Sequence, residues 1–421
     1  MGKKTTALVL AGGRGRRMDI LCELRPKPAL PFAGRFRVID FSTSNCIHSR
    51  IENIAVMVDY RRQEMAAYLM NWHKEYGRRA GLTVMAPEGG SYAGTADAVY
   101  QNLPYLQKTN ADTVLVLAGD HVYKMDYRKM LDFHHKMKAD ATVGVIQVPV
   151  EETHRFGTVE TDEEGRIKDF REKSSVARSD IASMGIYVFN RDVLTRRLSE
   201  DAAMPGSLHD FGYNILPRMI KTDRVYAYEY RGYWHDIGTV DAYYEANMEL
   251  LTAHPRFSLD SDWPVLGSDS LPTTERPDRA GSVVNSIVSP GCVIEGRVEN
   301  SVLSPGVYVA PQSLVRNSVV MADTSVGFHS IIDGCIIDEQ VNIGKYCYIG
   351  YGAALRPGGE SISVLGKNVI VPDRTAIGRS CSVRPGLGPE AFDGRMIPSG
   401  TVLEHAPQSI RNFSGISSNI D

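Results

Sequence analysis

The segment ALVLAGGRGRR, residues 7–17, joins an apolar run to a loop rich in glycine and arginine. Residues 7–10 predict a buried β-strand. Gly12 and Gly13 leave the backbone after it without side chains, so its amide groups can approach a base or a phosphate. Three arginines then supply positive charge that suits a triphosphate: Arg14, Arg16 and Arg17. The spacing matches neither a P-loop nor a GxGxxG dinucleotide site. Taken alone, the segment predicts either an anion-binding turn or a purely structural one.

Outward from this segment, short apolar runs alternate with longer helical patterns. The further predicted strands are residues 54–58, 113–117 and 142–146, and the predicted helices are residues 63–76, 127–138 and 240–251. Near-continuous apolar strands alternating with helices predict an α/β domain with a mostly parallel sheet covered on both faces. Ligands bind beyond the carboxyl ends of such strands. The glycine-rich loop and Asp120, which both follow a strand directly, are therefore expected at one binding edge.

Beyond residue 281 the period of the sequence changes to six. Apolar residues recur at this spacing, with one-residue slips and a glycine-rich interruption at 356–368: Leu303, Val309, Val315, Val320, Val326, Ile332, Ile337, Ile343, Ile349, Leu355, Val371, Ile377 and Val383. A six-residue repeat is typical of a hexapeptide β-helix. Chance spacing in a loop-rich domain is the alternative, which the long register disfavours.

The stretch before this repeat is rich in proline, serine and aspartate, which is typical of a linker. Its prolines are Pro255, Pro264, Pro272 and Pro277. We therefore predict three parts: a first domain over residues 1–254, a linker over 255–281 and a β-helix domain over 282–421.

The composition is that of an ordinary globular protein of two or three domains, with 421 residues, 43% hydrophobic and 23% charged, and a net charge of −3. The charge balance gives no reason to expect a nucleic-acid partner. No apolar run approaches the roughly 18 residues of a membrane span, and none resembles a signal peptide. Six scattered cysteines form no CxxC or zinc-like pattern and are expected to be buried reduced thiols. A cytoplasmic protein is expected.

Two aspartates and two lysines are candidates for phosphate chemistry. Asp120 follows a buried strand and a glycine, and Asp236 precedes a helical stretch. Carboxylates from strand ends suit Mg²⁺ bound to nucleotide phosphates, although helix capping is the alternative for each. Lys27, fixed by the proline after it, is compatible with phosphate. Lys173 follows Glu172 and could bind a sugar phosphate, with a solvated ion pair as the alternative.

Several longer motifs carry a family resemblance. The sequence resembles the signature of the sugar-phosphate nucleotidyltransferases in LAGGRGRR (10–17) with Lys27-Pro28, GTADAVYQN (94–102), LAGDHVYKMDY (117–127), ASMGIYVF (182–189) and YWHDIGTVDAY (233–243). RVIDFSTSNC (37–46) narrows the resemblance to the glucose-1-phosphate adenylyltransferases of bacterial glycogen synthesis. It covers essentially the whole chain and implies an α/β fold class, a Rossmann-like nucleotidyltransferase domain followed by a left-handed parallel β-helix.

The resemblance implies a role for each matching residue. The nucleotide-binding positions are Leu10, Ala11, Gly12, Gly13, Arg14, Gly94, Thr95 and Asp97. The positions around glucose 1-phosphate are Tyr92, Gly157, Glu172, Lys173, Ser183 and Asp236. The catalytic positions are Arg17, Lys27, Asp120 and Lys173, and Mg²⁺ is expected on Asp120 and Asp236. The implied reaction is in-line attack of glucose 1-phosphate on the α-phosphorus of ATP, with pyrophosphate leaving. No general base is required, because a sugar phosphate is already ionised.

The sequence departs from the family pattern at Leu24, Asp59-Tyr60, Ser91, Ser174 and Tyr213. These positions lie largely near surfaces that sense effectors in the family, so an anionic allosteric effector of open identity is expected. The basic residues available for it are Arg25, Arg35, Arg37, His48, Arg374, Arg379 and Arg384. A homotetramer is expected from the family.

Three alternative functions remain at this point. One is a nucleotidyltransferase with another base or sugar, which RVIDFSTSNC disfavours. Another is a catalytically silent regulatory subunit, which would commonly lack one or more of the catalytic residues present here. The last is a hexapeptide acyltransferase, for which His329 is the only histidine within the regular rungs.

Overall fold

The computed structural model describes residues 3–176, 178–259, 261–267, 278–279, 281–352 and 361–405. An α/β unit comes first along the chain, and a parallel β-helix follows it. The strands of the α/β unit are β1 (Thr5–Leu10), β2 (Pro31–Phe32), β3 (Phe36–Arg37), β4 (Asn53–Met57), β5 (Gly81–Met85), β6 (Thr113–Ala118), β7 (His121–Tyr123), β8 (Ala141–Gln147), β9 (Gly157–Thr161), β10 (Ile167–Glu172), β11 (Ile181–Asn190), β12 (Val225–Glu229) and β13 (Trp234–Asp236). Its α-helices are α1 (Ile39–His48), α2 (Arg62–Tyr76), α3 (Thr95–Gln101), α4 (Leu103–Lys108), α5 (Tyr127–Lys136), α6 (Arg191–Ala202), α7 (Leu216–Thr222) and α8 (Val240–Glu249).

The central sheet is parallel in its first half and mixed in its second. Strands β5, β4, β1 and β6 lie side by side and run parallel. Strand β11 then pairs antiparallel with β6, β8 and β9, while β12 runs parallel to β8. The predicted parallel sheet is confirmed for the first half. The apolar run at 142–146 is a strand, as predicted, but an apolar run does not reveal the direction of its partner.

Both faces of the sheet are covered, as the continuous apolar strands predicted. Alternate residues of β1 point to opposite faces, with Ala7 and Val9 in one apolar cluster and Leu8 in the other. Helix α2 packs on the first face through Leu69 and Trp72, both fully buried. Because β1 pairs parallel with β4 and with β6, the carboxyl ends of these three strands lie at one edge of the sheet.

The second unit winds its strands into three parallel sheets. One sheet contains Asp278–Arg279, Val293–Ile294, Tyr308–Val309, Ser325–Val326, Asn342–Ile343 and Ile370–Val371. The next contains Ser282–Val284, Arg297–Glu299, Leu314–Arg316, Ile331–Asp333, Tyr348–Tyr351, Ala376–Gly378 and Met396–Ile397. The last contains Ile287–Val288, Val302–Leu303, Val319–Val320, Cys335–Ile337, Ser363–Leu365, Ser382–Val383 and Val402–Leu403. The predicted hexapeptide β-helix is confirmed, and its left-handed sense stays a prediction.

The residues of the six-residue series form the core of this β-helix. Those within the described residues, from Leu303 to Val383, are almost completely buried, whereas Leu355 lies outside the described residues. Val326 is paired with Val309 and with Ile343, one coil away on either side. The one-residue slips in the series occur where one of the three corners of a coil is shorter than the others.

The described part of the predicted linker packs on the α/β unit. The indole nitrogen of Trp263 donates to Oδ1 of Asn45 at 2.8 Å, and that of Trp72 donates to the carbonyl of Leu266 at 3.1 Å. Pro272 and Pro277 lie outside the described residues. The boundaries at residues 254 and 281 stay predictions.

Two smaller expectations concern cysteines and membranes. All six cysteines are buried free thiols, as predicted. Among the described helices, none has the length and apolar character needed to cross a membrane.

Candidate active site

A cavity of about 320 Å³ opens at the carboxyl edge of the parallel strands. Its lining comes from three strand ends and from the start of α3: Leu10, Gly12, Gly13, Pro28, Met57, Asp59, Tyr92, Gly94, Thr95, Ala98, Ala118 and Asp120. The glycine-rich loop and Asp120 thus lie at one edge, as the strand pattern predicted. A Cβ atom on Gly13 would meet nothing within 4 Å, so the backbone there is open to a ligand.

Close packing explains the other two glycines of this cavity. A Cβ on Gly12 would lie 3.0 Å from the Cβ of Asp59, and one on Gly94 would lie 2.4 Å from the carbonyl oxygens of Leu208 and His209. Neither position accepts a side chain without displacing its neighbours. Thr95, next to Gly94, donates from Oγ1 to Oδ2 of Asp210 at 2.9 Å. The hydrogen bond to Asp210 therefore fixes the start of α3, which forms this wall of the cavity.

Beside the cavity, Lys27 joins the two predicted metal-binding aspartates. Its Nζ atom lies 2.9 Å from Oδ2 of Asp120 and 3.0 Å from Oδ1 of Asp236. The lysine side chain is 7% exposed and that of Asp236 8%, whereas that of Asp120 is 33% exposed and faces the cavity. Strands β7 and β13 bring the two aspartates together by pairing antiparallel, with Asp236 opposite His121.

Charge and burial act against each other in this cluster. Burial works to raise the pKa of Asp120 and Asp236, but the Lys27 ammonium and His121 outweigh it, so the pKa of each carboxyl lies below its usual value. Burial likewise works to lower the pKa of Lys27, but the two carboxylates raise it above its ordinary value. All three groups are therefore charged at neutral pH.

Two residues of this cluster, His121 and Arg155, were not among those predicted from the sequence. Nε2 of His121 lies 3.6 Å from Oδ1 of Asp120 and 3.8 Å from Oδ1 of Asp236, and the indole of Trp234 donates to its Nδ1 at 3.3 Å. Arg155 lies 3.5 Å from Oδ2 of Asp236 and donates to its carbonyl at 3.3 Å. The position of His121 next to Asp120 was a usable signal. Arg155 is the last residue of a short, mostly polar helix, and its sequence offers no such signal.

Asp120, His121 and Asp236 could together hold a metal ion, since their ligand atoms all lie within 4.8 Å of one another. Two carboxylates and one imidazole are donors that suit a divalent cation. Asp120 reaches the cavity, so an ion there would also be accessible to a ligand in it.

A second cluster lies at the ends of β9, β10 and β11. Oε1 of Glu172 lies 3.1 Å from Nζ of Lys173, and a Cβ on Gly157 would meet Oε2 of Glu172 at 2.6 Å. Burial raises the pKa of Glu172 despite the nearby ammonium of Lys173. Lys173 has φ 46°, a left-handed conformation that directs the chain away from the strand. Ser183 is buried in β11 and accepts from the backbone N–H of Gly185.

The short helix Val150–Arg155 and the residue after it connect the two clusters. The carbonyl of Phe156 accepts from the backbone N–H of Lys173 at 3.0 Å, and its ring lies 5.3 Å from that of Trp234. Arg155 contacts Asp236 from the same segment. The lysine of the second cluster and an aspartate of the first are therefore both fixed to one segment.

The remaining predicted residues lie around these features. Ala11 is buried, and Arg14 is exposed with its guanidinium over the ring of Tyr60. Tyr92 lines the cavity together with the glycines and is not part of the second cluster, where it was expected. Oδ2 of Asp97 accepts from the N–H of Ala93, so it fixes the turn before α3. The guanidinium of Arg17 and the carboxylate of Asp236 both border Gly238, where a Cβ would lie 2.9 and 2.8 Å from them.

The basic residues expected at an effector site are dispersed. Arg25 is 3% exposed and is paired with Asp338 and Glu339. Arg379 is paired with Asp333, and Arg384 with Asp19 and Glu23. Arg35 and Arg37 line a separate cavity of about 440 Å³ between the two units. The ring of His329, the candidate acyl-transfer residue, is stacked on that of Tyr346 at 5.6 Å.

Comparison with known proteins matches both units. Residues 6–253 match the Nucleotidyl transferase family, and residues 272–356 match the family described as GlmU-like, C-terminal hexapeptide. The chain is 41% identical over 413 residues to a glucose-1-phosphate adenylyltransferase of Acetivibrio thermocellus, covering 94% of this chain and 97% of the relative. It is 40% identical over 414 residues to that of Thermomicrobium roseum, covering 94% and 96%. The motif resemblance is confirmed, and the chain belongs to the glucose-1-phosphate adenylyltransferase family of nucleotidyltransferases.

Proposed function

We propose that this enzyme converts ATP and glucose 1-phosphate into ADP-glucose and pyrophosphate, the first step of glycogen synthesis. The observation that carries the proposal is the position of Asp120, which lines the glycine-walled cavity and is also paired with Lys27. A nucleotide in the cavity would have its phosphates beside this charged cluster. The names of the relatives agree with ATP and glucose 1-phosphate as the substrates.

We assign the cavity to the nucleoside part of ATP. Apolar side chains from the strand ends form one part of its lining, and the bare backbone at Gly13 allows close approach. The predicted nucleotide-binding residues Leu10, Gly12, Gly13, Gly94 and Thr95 all line it. The triphosphate would then extend toward Arg14, Arg17 and Lys27, whose charges complement it.

Glucose 1-phosphate is assigned to the second cluster. Lys173 is half exposed and supplies the cation for its phosphate, while the partly buried carboxyl of Glu172 supplies an acceptor for sugar hydroxyls. A Cβ on Gly157 would lie 2.6 Å from Oε2 of Glu172, so a side chain there would displace that carboxyl. Ser183 and Asp236 complete the proposed site.

The reaction brings two anions together, so cations make the main contribution to catalysis. Lys173 would orient the attacking phosphate oxygen, and Arg17 and Lys27 would stabilise charge on the leaving pyrophosphate. Asp120 and Asp236 would hold Mg²⁺, which neutralises charge on the nucleotide phosphates when it is bound. No side chain needs to remove a proton, because the nucleophile is already ionised at neutral pH.

Three further expectations belong to this proposal. We expect a cytoplasmic homotetramer, and we expect an anionic effector to modulate its activity. The cavity lined by Arg35 and Arg37 is a candidate for that effector, whereas the buried Arg25 is less available.

Pyrophosphate release from ATP and glucose 1-phosphate with Mg²⁺ tests the assignment. We expect turnover with ATP and a large loss in Asp120→Asn, which keeps the shape of the side chain but removes its charge. Unchanged turnover in Asp120→Asn would contradict the role of that residue. Use of GTP with negligible use of ATP would contradict the choice of base. No release with any triphosphate, with rescue by a second chain, would indicate a regulatory subunit instead.

A further inference from the structure

We propose that Arg25 is a positioning residue through which the β-helix holds Lys27 in the active site. The inference rests on the proposed function for the role of Lys27, but its geometry is independent of the substrate. Arg25 belongs to the α/β unit, yet its Nη2 atom donates to Oδ1 of Asp338 at 2.7 Å and to Oε2 of Glu339 at 3.1 Å, both in the β-helix.

Burial leaves the charged groups of this ion pair without access to water. Arg25 is 3% exposed and Asp338 is 1% exposed, so neither charge has water as an alternative partner. Glu339 is also held by Lys367 at 3.0 Å, within the β-helix itself. A buried guanidinium that loses its carboxylates is left unpaired at a large cost, so the geometry of Arg25 is determined by the β-helix.

Only one residue separates Arg25 from Lys27, and that residue is Pro26, whose ring fixes φ near −65°. The chain then enters the tight turn Lys27–Ala29, closed by a bond from the N–H of Leu30 to the carbonyl of Lys27 at 3.0 Å. A displacement of Arg25 would therefore also displace the backbone of Lys27, because the residues between and after them are conformationally restricted. Lys27 must in turn place Nζ within 3.0 Å of two carboxylates.

Residues 16–23, which precede Arg25 in the chain, contact the β-helix in two further ways. Nη1 of Arg384 lies 2.9 Å from Asp19 and 3.0 Å from Glu23. The segment Arg16–Cys22 also buries an apolar face against the β-helix, in a cluster that contains Met18, Ile20, Leu21, Cys22, Val319, Met321, Ile336 and Val364. The pairs of Arg384 are partly exposed and contribute little, whereas the pair of Arg25 is buried and closest to Lys27.

The decisive variants separate stability from positioning. In Arg25→Met we expect kcat to fall by about 10- to 100-fold, because a displacement of about 1 Å in a catalytic group has effects of that order. The KM for glucose 1-phosphate should change little. In the double variant Arg25→Met/Asp338→Leu, apolar side chains replace the buried pair and Glu339 keeps Lys367, so the melting temperature should recover. We expect kcat to stay low, since residue 25 no longer anchors the backbone before Lys27 to the β-helix. Arg297→Met removes a mostly exposed arginine of the β-helix, paired with Glu299, and serves as the control. We expect its kcat to stay within about threefold of wild type, since exposed ion pairs contribute little.

Amine labelling followed by mass spectrometry gives a readout that does not depend on the substrate. We expect the folded double variant to label Lys27 faster than wild type, while the exposed Lys168 reacts at an unchanged rate. Wild-type kcat together with wild-type labelling of Lys27 in the double variant would overturn the inference. Inactivity of the wild-type enzyme toward ATP and glucose 1-phosphate would contradict the proposed function, whereas the labelling would still decide the role of Arg25.

Discussion

The ammonium nitrogen of Lys27 lies 3.0 Å from Oδ1 of Asp236, a residue 209 positions further along the chain. The contact keeps two carboxylates of the site close together, since Asp120 accepts from the same nitrogen. Without the lysine, the two negative charges would repel each other across the space where a cation is proposed to bind.

Replacement of this lysine should therefore affect catalysis strongly. For Lys27→Ala we expect kcat to fall by about 100- to 1000-fold, as for other groups that stabilise transition-state charge. Pyrophosphate release at saturating substrate measures it. Lys168→Ala removes a lysine from an exposed pair with Asp162 and is expected to leave kcat unchanged. A similar kcat in both variants would show that Lys27 has no catalytic role.

Trp234 orients the imidazole of His121 through a hydrogen bond to Nδ1. In Trp234→Phe an aromatic ring is kept, but the indole N–H that donates to Nδ1 of His121 is lost. We expect a loss of about 1 kcal/mol, or about fivefold in kcat, because a net hydrogen bond is worth that much. Trp263→Phe removes an indole bond to Asn45 away from the site and is the matched control. Equal kcat values in wild type and Trp234→Phe would exclude an orienting role.

The open backbone at Gly13 predicts a binding defect without a folding defect. A Cβ there meets no atom of the described residues within 4 Å, and Gly89 has the same property outside the cavity. For Gly13→Ala we expect the KM for ATP to rise by about tenfold, about 1.4 kcal/mol of lost contact, at an unchanged melting temperature. Gly89→Ala should change neither quantity. An unchanged KM in Gly13→Ala would place the nucleotide elsewhere.

His134 should make the fold sensitive to mild acid. Burial lowers the pKa of His134 from 6.5 to about 4, and its ring bonds to Thr142 and Asn190. The unfolded chain takes up a proton near pH 6.5 and the folded chain only near pH 4, so the stabilisation present above pH 6.5 is lost as the pH falls between these values. From pH 7 to pH 5 we expect this residue to account for about 2 kcal/mol of lost unfolding free energy.

Urea unfolding at the two pH values measures this loss. The variant His134→Gln lacks the titrating group, so the difference between pH 7 and pH 5 should shrink by that amount. An undiminished difference in His134→Gln would assign the acid sensitivity to other residues.

Local patterns in the sequence were sufficient to predict the main strands and helices and the edge of the sheet at which the site lies. The strand ends at Leu10 and Ala118 predicted where the glycine loop and Asp120 lie, because parallel strands bring their carboxyl ends together. The six-residue series predicted the β-helix core, since each short strand contributes one inward residue. Both inferences depend on residues close together in the chain.

Contacts between distant residues were not visible in the sequence. Arg25 is 313 positions from Asp338, and nothing around it distinguishes a buried, paired arginine from one that binds an external anion. The same holds for Arg155 beside Asp236. The mixed half of the sheet also depends on the antiparallel pairing of β11 with three other strands, which the apolar residues of β11 do not determine.

The coils of the β-helix differ in length, yet the strands of successive coils stay in register with one another. Ile294 pairs with Val309, Val309 with Val326 and Ile343 with Val371, although these partners are separated by 15, 17 and 28 residues. The strands therefore set the cross-section, and the corners absorb any difference in chain length. Corners are the places where evolution or an engineer can add a new surface feature, such as a recognition loop, without repacking the interior.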